Sequence, residues 1–299
     1  MHTRVTYTAL VAEPAGAPTA PFVRLGALWI QITGSWCNLE CTHCLNASGP
    51  TIPWLKPLAP GIVHRALAEA EQLGVREVYF TGGEPFLHRQ ILPLLEASLA
   101  IAPTTVLTNG TVMSEATADA LRLLAGRVRY SLEIRVSLDD VDEARNDRIR
   151  GPGAFAKAVR TLRLLEERGL LPIVTATEIL KDETTAAGDL YERFQRFLRS
   201  ISIARPRVKI IPVFAAGRLE GRGTTPLTDE ALEGFDRALL QCAEARVVAD
   251  GGVYACPILA GLPGARLSSG SLAASFRPAP LFHPACVTCH QTGMTCRNF

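Results

Sequence analysis

At 299 residues the chain can bury a large core, as one barrel-sized domain or two smaller ones. Hydrophobic residues at 47% and charged residues at 20% exclude a disordered chain, and a net charge of +2 offers no field for gripping a phosphate backbone. Met1–Pro21 contains no signal-like apolar run and no later stretch is long enough to span a bilayer, so neither nucleic acid nor membrane is expected as a partner, and a soluble cytoplasmic protein follows.

Residues 1–24, rich in Ala, Pro and Thr, read as an irregular lead-in. Trp29–Thr33 reads as the first strand and is followed by a cysteine loop, then a helix over 61–73 stopped by Gly74. Val75–Thr81 reads as a strand ending in Gly82-Gly83-Glu84-Pro85. Helix 89–101 precedes strand Thr104–Thr108, which ends in Asn109-Gly110, and helix 114–125 precedes strand Tyr130–Ser137, followed by Leu138-Asp139. Helix 154–168 with strand Pro172–Thr177, and helix 184–199 with strand Val208–Pro212, complete six strand–helix units. Such a series demands a parallel sheet with right-handed crossovers, as a partial barrel or an open doubly wound sheet. In either, loops at the C-terminal strand ends form the ligand face, and the cysteines, the glycine pair, Asn109, Ser137 and Asp139 all fall there.

Gly217–Pro226 is Gly/Arg-rich and reads as a linker, giving expected boundaries of 25–216 for the strand–helix unit, 217–227 for the linker and 228–299 for a second unit. A helix is expected over Thr228–Ala245, capped by Thr228, then a hairpin over Arg246–Cys256 turning at Asp250-Gly251-Gly252. The loop-rich remainder lacks the apolar density for a core of its own, so a metal cluster is expected to organise it.

The eight cysteines fall in two groups, three within Cys37–Cys44 and five within Cys242–Cys296. In a reducing compartment that clustering points to metal ligation and away from disulfides. Cys37, Cys41 and Cys44 form CxxxCxxC. Three thiolates leave one iron of a four-iron cluster without a protein ligand, whereas zinc wants a fourth Cys or His, which His43 is badly placed to supply.

CxxxCxxC directly after the first strand of a β/α series resembles the radical S-adenosylmethionine (SAM) superfamily. Gly82-Gly83-Glu84-Pro85 is similar to that family's GGEP motif, whose backbone and glutamate receive the SAM amino group. Glycine permits close backbone approach, and a carboxylate suits an ammonium. His43 stands where the family has an aromatic residue near the adenine. Asn109, Ser137 and Asp139 resemble polar strand ends near the SAM ribose and carboxylate, and Arg150-Gly151-Pro152-Gly153-Ala154-Phe155 resembles the family's RG-x-G-x-F segment. The resemblance covers residues 28–215. It implies an α/β fold with a partial (β/α)6 TIM-like barrel and a [4Fe–4S] cluster with an open iron site on Cys37, Cys41 and Cys44. It further implies reductive cleavage of SAM to a 5′-deoxyadenosyl radical that abstracts hydrogen from the substrate, with a flavodoxin- or ferredoxin-type reductant.

Cys242-x13-Cys256 with Cys286-x2-Cys289-x6-Cys296 resembles the SPASM and twitch extensions of that superfamily, which hold auxiliary [4Fe–4S] clusters. Five thiols suffice for one such cluster; Cys242, Cys256, Cys286 and Cys289 follow the twitch pattern, Cys296 could replace Cys242, and zinc is the alternative occupant. His283 and His290 are expected to be solvated. A saturated cluster would accept an electron from the substrate radical, completing an oxidation or dehydrogenation. Two substrates compete, a small polar molecule such as an aminocyclitol and a peptide side chain. The short lead-in is too small for a leader-binding domain, which favours the small molecule or a separate binding partner. A non-catalytic iron–sulfur carrier or zinc-stabilised module is the reading outside enzymology. Glu178 and Arg218, at the ends of the fifth and sixth strands, are the expected substrate contacts, Glu178 as an acid–base group.

Overall fold

The structure, a computed structural model, describes residues 16–178 apart from position 52, 187–221 and 225–293; of 187–189 it describes the backbone alone. Cys296 lies outside the described residues.

A short strand β1 (Thr19–Ala20) precedes six strands, β2 (Ala27–Gln31), β3 (Glu77–Thr81), β4 (Thr104–Thr108), β5 (Leu132–Ser137), β6 (Ile173–Thr177) and β7 (Arg207–Ile211). They lie side by side in chain order, each parallel to the next. Helices α1 (Pro60–Gln72), α2 (Ile91–Ile101), α3 (Glu115–Arg127), α4 (Glu143–Arg150), α5 (Ala154–Glu167) and α6 (Ala187–Ser200) make the crossovers. This is the expected partial (β/α)6 barrel.

The period-two alternation of the strands sorts side chains onto two faces. Leu28 and Ile30 of β2 pack with Val63 and Leu67 of α1 and Leu94 and Leu95 of α2, forming the layer between sheet and helices. Each such buried aliphatic side chain contributes roughly 1.5–3 kcal/mol relative to exposure. Ala27 and Trp29 face the other way, into a second core with Phe214, Val247 and Phe282. α4 has no apolar period to announce it, reading Glu-Ala-Arg-Asn-Asp-Arg-Ile-Arg; the Asp142 carboxylate fixes its start by accepting the Arg145 N–H at 2.9 Å.

The C-terminal segment forms β8 (Ala245–Ala249), β9 (Gly252–Tyr254), β10 (Arg266–Ser268), β11 (Ala279–Pro280) and α7 (Pro284–Thr292). β8 and β9 make the expected hairpin, Val247 opposite Tyr254. β8 also lies parallel to β2, Ala27 beside Ala245, so one sheet of nine strands runs from β10 to β7. β11 pairs with β1.

The helix expected over Thr228–Ala245 does not form. Three short 3-10 turns replace it at Glu230–Leu232, Arg237–Leu239 and Gln241–Ala243. Gly234 takes a left-handed φ of +73°, and the Asp236 carboxylate accepts the Ala238 N–H at 2.9 Å, an alternative to the helical ladder. Among the described residues no helix is long and apolar enough to cross a membrane.

Candidate functional site

The loop after β2 is held in shape by its own backbone. Cys37 N–H donates to the Gly49 carbonyl at 3.0 Å, and Gly49 N–H returns to Ser35 at 3.1 Å. Each thiol is then oriented individually. Cys37 Sγ accepts from Leu39 N–H at 3.4 Å and from the Asn109 side-chain amide at 3.5 Å, and Cys44 Sγ accepts from Ser48 N–H at 3.3 Å. Cys41 Sγ lies 3.9 Å from the Arg150 carbonyl. Burial pushes the Cys37 thiol up to about 12, so a thiolate there needs the positive charge of bound metal.

Gly82 and Gly83 lie directly against this loop. Gly82 has φ +141°, and a methyl group on Gly83 would collide with the Trp36 carbonyl. Glu84 N–H donates to that carbonyl at 3.1 Å. The Glu84 side chain, expected to receive the SAM amino group, is turned towards β4. It is completely buried, accepts from Thr108 Oγ1 and Asn109 N–H at 2.7 Å each and from Phe86 N–H at 3.1 Å, and has no surface on the cavity. It ties the end of β4 to the glycine pair. Burial pushes its carboxyl up to about 7 against those three donors. Pro85 is buried behind it, opening a short 3-10 turn.

Asn109 likewise faces the cysteine loop: its amide bridges Cys37 Sγ and Asn38 Oδ1, while its own oxygen accepts from Thr111. Asp139 is buried between two basic groups, with Arg150 Nε at 2.7 Å and His43 Nε2 at 3.4 Å, and its other oxygen accepts Thr177 N–H at 2.8 Å. Burial lowers His43 to about 4 despite Asp139, so the imidazole is neutral near pH 7. Arg150 belongs to the RG-x-G-x-F segment, yet sequence reasoning did not select it as a site residue. Its signal was its pairing with an equally buried Asp139, which only the fold reveals.

Arg218 is not placed as a substrate contact. Its guanidinium donates to the carbonyls of Cys41 at 2.9 Å and Ser48 at 2.7 Å, and its N–H to Cys44 at 3.1 Å. The stretch expected to be a linker therefore begins as a clamp on the cysteine loop, and Gly217 beside it leaves no room for a Cβ against the Cys44 carbonyl. Glu178, half-buried after β6, does not line the cavity.

Cys37, Cys41, Cys44, His43, Gly82, Gly83, Asn109, Ser137 and Arg150 surround one cavity of about 190 Å³. Three thiols on one wall, a glycine floor and a buried cation fit an all-sulfur-ligated cluster beside a ligand bearing a carboxylate. Among the described residues no three His, Cys, Asp or Glu side chains converge as ligands of a single ion. A cluster asks for less, because each thiolate meets a different iron.

Residues 32–193 match the model of the radical SAM superfamily, more than half of the chain. The chain belongs to the radical SAM superfamily. Membership implies a [4Fe–4S] cluster and SAM. The chain is 27% identical to the mycofactocin maturase MftC of Mycobacterium ulcerans over 276 residues, 82% of this chain and 73% of that protein. It is 31% identical to a probable GTP 3′,8-cyclase of Methanosarcina mazei over 163 residues, 53% of this chain and 47% of the relative, so this match spans about half of each. In fold it resembles anSMEcpe solved with bound AdoMet, with a TM-score of 0.62, 17% identity and coverage of 84% of this chain and 80% of that one. SuiB of Streptococcus suis, bound to the precursor peptide SuiA, gives a TM-score of 0.59 at 16% identity, over 85% of this chain and 63% of that one.

This radical SAM protein gathers its second cysteine group in the core opposite the helices. Cys242, Cys256, Cys286 and Cys289 all pack there. Burial pushes Cys286 up to about 12 and raises Cys242 and Cys256 as well. The tail is more ordered than expected: His283, expected to be solvated, is 2% exposed and caps α7, its Nδ1 accepting from Ala285 N–H at 3.1 Å, so the helix carrying Cys286 and Cys289 is fixed at its start. His290 packs edge-on against Phe235.

Proposed function

We propose that this protein cleaves SAM reductively at a [4Fe–4S] cluster on Cys37, Cys41 and Cys44 and oxidises a peptide side chain, with a second [4Fe–4S] cluster on Cys242, Cys256, Cys286 and Cys289 as electron acceptor. When bound, the first cluster and SAM supply the hydrogen-atom abstraction. The chain's own residues position and shield. Gly82 and Gly83 let the backbone approach the SAM amino group. The Arg150 guanidinium, oriented by Asp139, suits the SAM carboxylate, and neutral His43 offers a flat ring for the adenine. Ser137 supplies a hydroxyl on the same wall. A flavodoxin- or ferredoxin-type protein delivers the first electron. In such an oxidation the substrate would lose a hydrogen atom, one electron and one proton, and the cluster held by Cys242, Cys256, Cys286 and Cys289 would supply the electron acceptor.

The observation that carries this reading is the union of thiols, glycine floor and buried cation in one cavity that also has an apolar wall of Leu39, Ile211, Val213 and Phe214, beside lining threonines such as Thr81 and Thr175. That wall suits a side chain better than a polyol. MftC, a maturase, matches over most of this chain, and the structurally similar SuiB is bound to a precursor peptide. Oxidation of a small polar molecule is the second reading, favoured by Thr175 Oγ1, a cavity hydroxyl without a hydrogen-bond partner.

Anaerobic reconstitution with iron and sulfide, followed by SAM and dithionite, should release 5′-deoxyadenosine from the wild type and none from C37A. An iron–sulfur carrier or zinc module would release none from either, which would sink the enzymatic reading. Peptides and aminocyclitols offered in parallel should separate the substrate readings, through a two-hydrogen mass loss in one class only.

A further inference from the structure

Arg246, in β8, is completely buried. Its Nε donates to the Ser275 carbonyl at 3.0 Å, Nη1 to those of Cys242 at 2.8 Å and Ala245 at 2.7 Å, and Nη2 to that of Arg277 at 2.8 Å. The guanidinium carbon stands 3.9 Å from the centre of the Phe22 ring. Every acceptor is neutral, and among the described residues no carboxylate pairs with this cation. Carbonyls satisfy donors, but they do not neutralise a charge taken wholly out of water, which folded proteins tolerate only when it is compensated.

The ionisable groups that face Arg246 are Cys242, Cys256 and a second cation, Arg277. Only the two sulfurs can be negative. Four thiolates around a four-iron cluster would provide the missing charge, and the cation would favour the cluster's more negative, reduced state.

We propose that Arg246 is the buried counter-charge of the auxiliary cluster, fixing the Cys242 backbone and raising the cluster's reduction potential so that it accepts an electron from the substrate. This rests on the reading that Cys242, Cys256, Cys286 and Cys289 hold that cluster. Arg246 is a positioning residue here; it acts on the acceptor and does not touch substrate.

The test uses the full chain carrying C37A, C41A and C44A, so that only the auxiliary cluster contributes to an EPR-monitored redox titration. R246Q should retain iron and shift the couple to more negative potential by at least tenfold in the one-electron equilibrium, which is 59 mV. R246K, keeping the charge, should stay within that interval of the parent. A loaded R246Q with unchanged potential overturns the inference alone. A triple-alanine parent that takes up no cluster overturns both the auxiliary reading and the inference. Should R246Q fail to load, R246K decides: loading at the parent's potential supports a charge requirement, and failure of both shows that the hydrogen bonds matter and the charge does not.

Discussion

Glu84 is a carboxyl group with no water to answer it and three donors that do, a balance of burial against hydrogen bonding. Burial wins, taking it from 4.5 to about 7. The folded chain therefore holds a proton that the unfolded chain has lost in that interval. The resulting stability is full below pH 4.5 and disappears as pH rises through 7. Melting of the iron-free wild type should accordingly decline from pH 5 to pH 8, and E84Q, which cannot titrate, should flatten that slope; parallel slopes would contradict the assignment. Gly83 is constrained by space. In G83A the methyl meets the Trp36 carbonyl and Cys37 Cβ at 2.8 Å, displacing a ligand of the first cluster. Iron and sulfide analysis should show loss of the first cluster while absorbance from the second persists. Both residues belong to a motif visible in the sequence, but only the fold shows Glu84 turned inward to β4 and Gly83 pressed on the cysteine loop.

At the scale of elements, what was legible depended on local pattern. The six strands and the helices between them other than α4 were readable because alternation and 3.6-residue spacing are local properties, and the hairpin because Asp250-Gly251-Gly252 is a turn signal. The segment 228–245 misled because its apolar spacing is helical, while Gly234 and Asp236 quietly break the ladder. The pairing of β8 with β2 was illegible, since residues some two hundred apart carry no local mark of their contact. The hairpin's own stability is testable. Gly252 sits at φ +141°, and a Cβ added there would collide with the Ser268 carbonyl, where β9 meets β10. G252A should cost about 1–3 kcal/mol through backbone strain and a lost pairing, read as a lower denaturation midpoint. An unchanged midpoint would mean that β10 is not a structural part of the sheet.

For the molecule as a whole, the question is whether the cysteine-rich C-terminal part can be separated from the barrel, as its composition suggested. The contacts argue against it. Val23 and Gly26 N–H groups donate to Ala243 and Glu244 carbonyls at 2.8 Å each, Asp250 accepts Lys56 N–H at 3.0 Å, and Glu69 of α1 accepts Ser271 Oγ at 2.9 Å. Removing residues 241–299 would strip β8 from β2, leaving β2 as an edge strand paired only with β3, and would uncover Trp29 and Ala27, now 2% and 0% exposed. An open, apolar strand edge invites association with another chain. The truncated chain should therefore be recovered mainly as aggregate, and any soluble fraction should exchange its β2 amide hydrogens far faster than the full chain. It should also load the first cluster poorly, because β2 leads directly into Cys37. A soluble, monomeric truncation with protected β2 amides and a full complement of iron on Cys37, Cys41 and Cys44 would show instead that the barrel stands alone, and that β8 is an attachment to a sheet already complete.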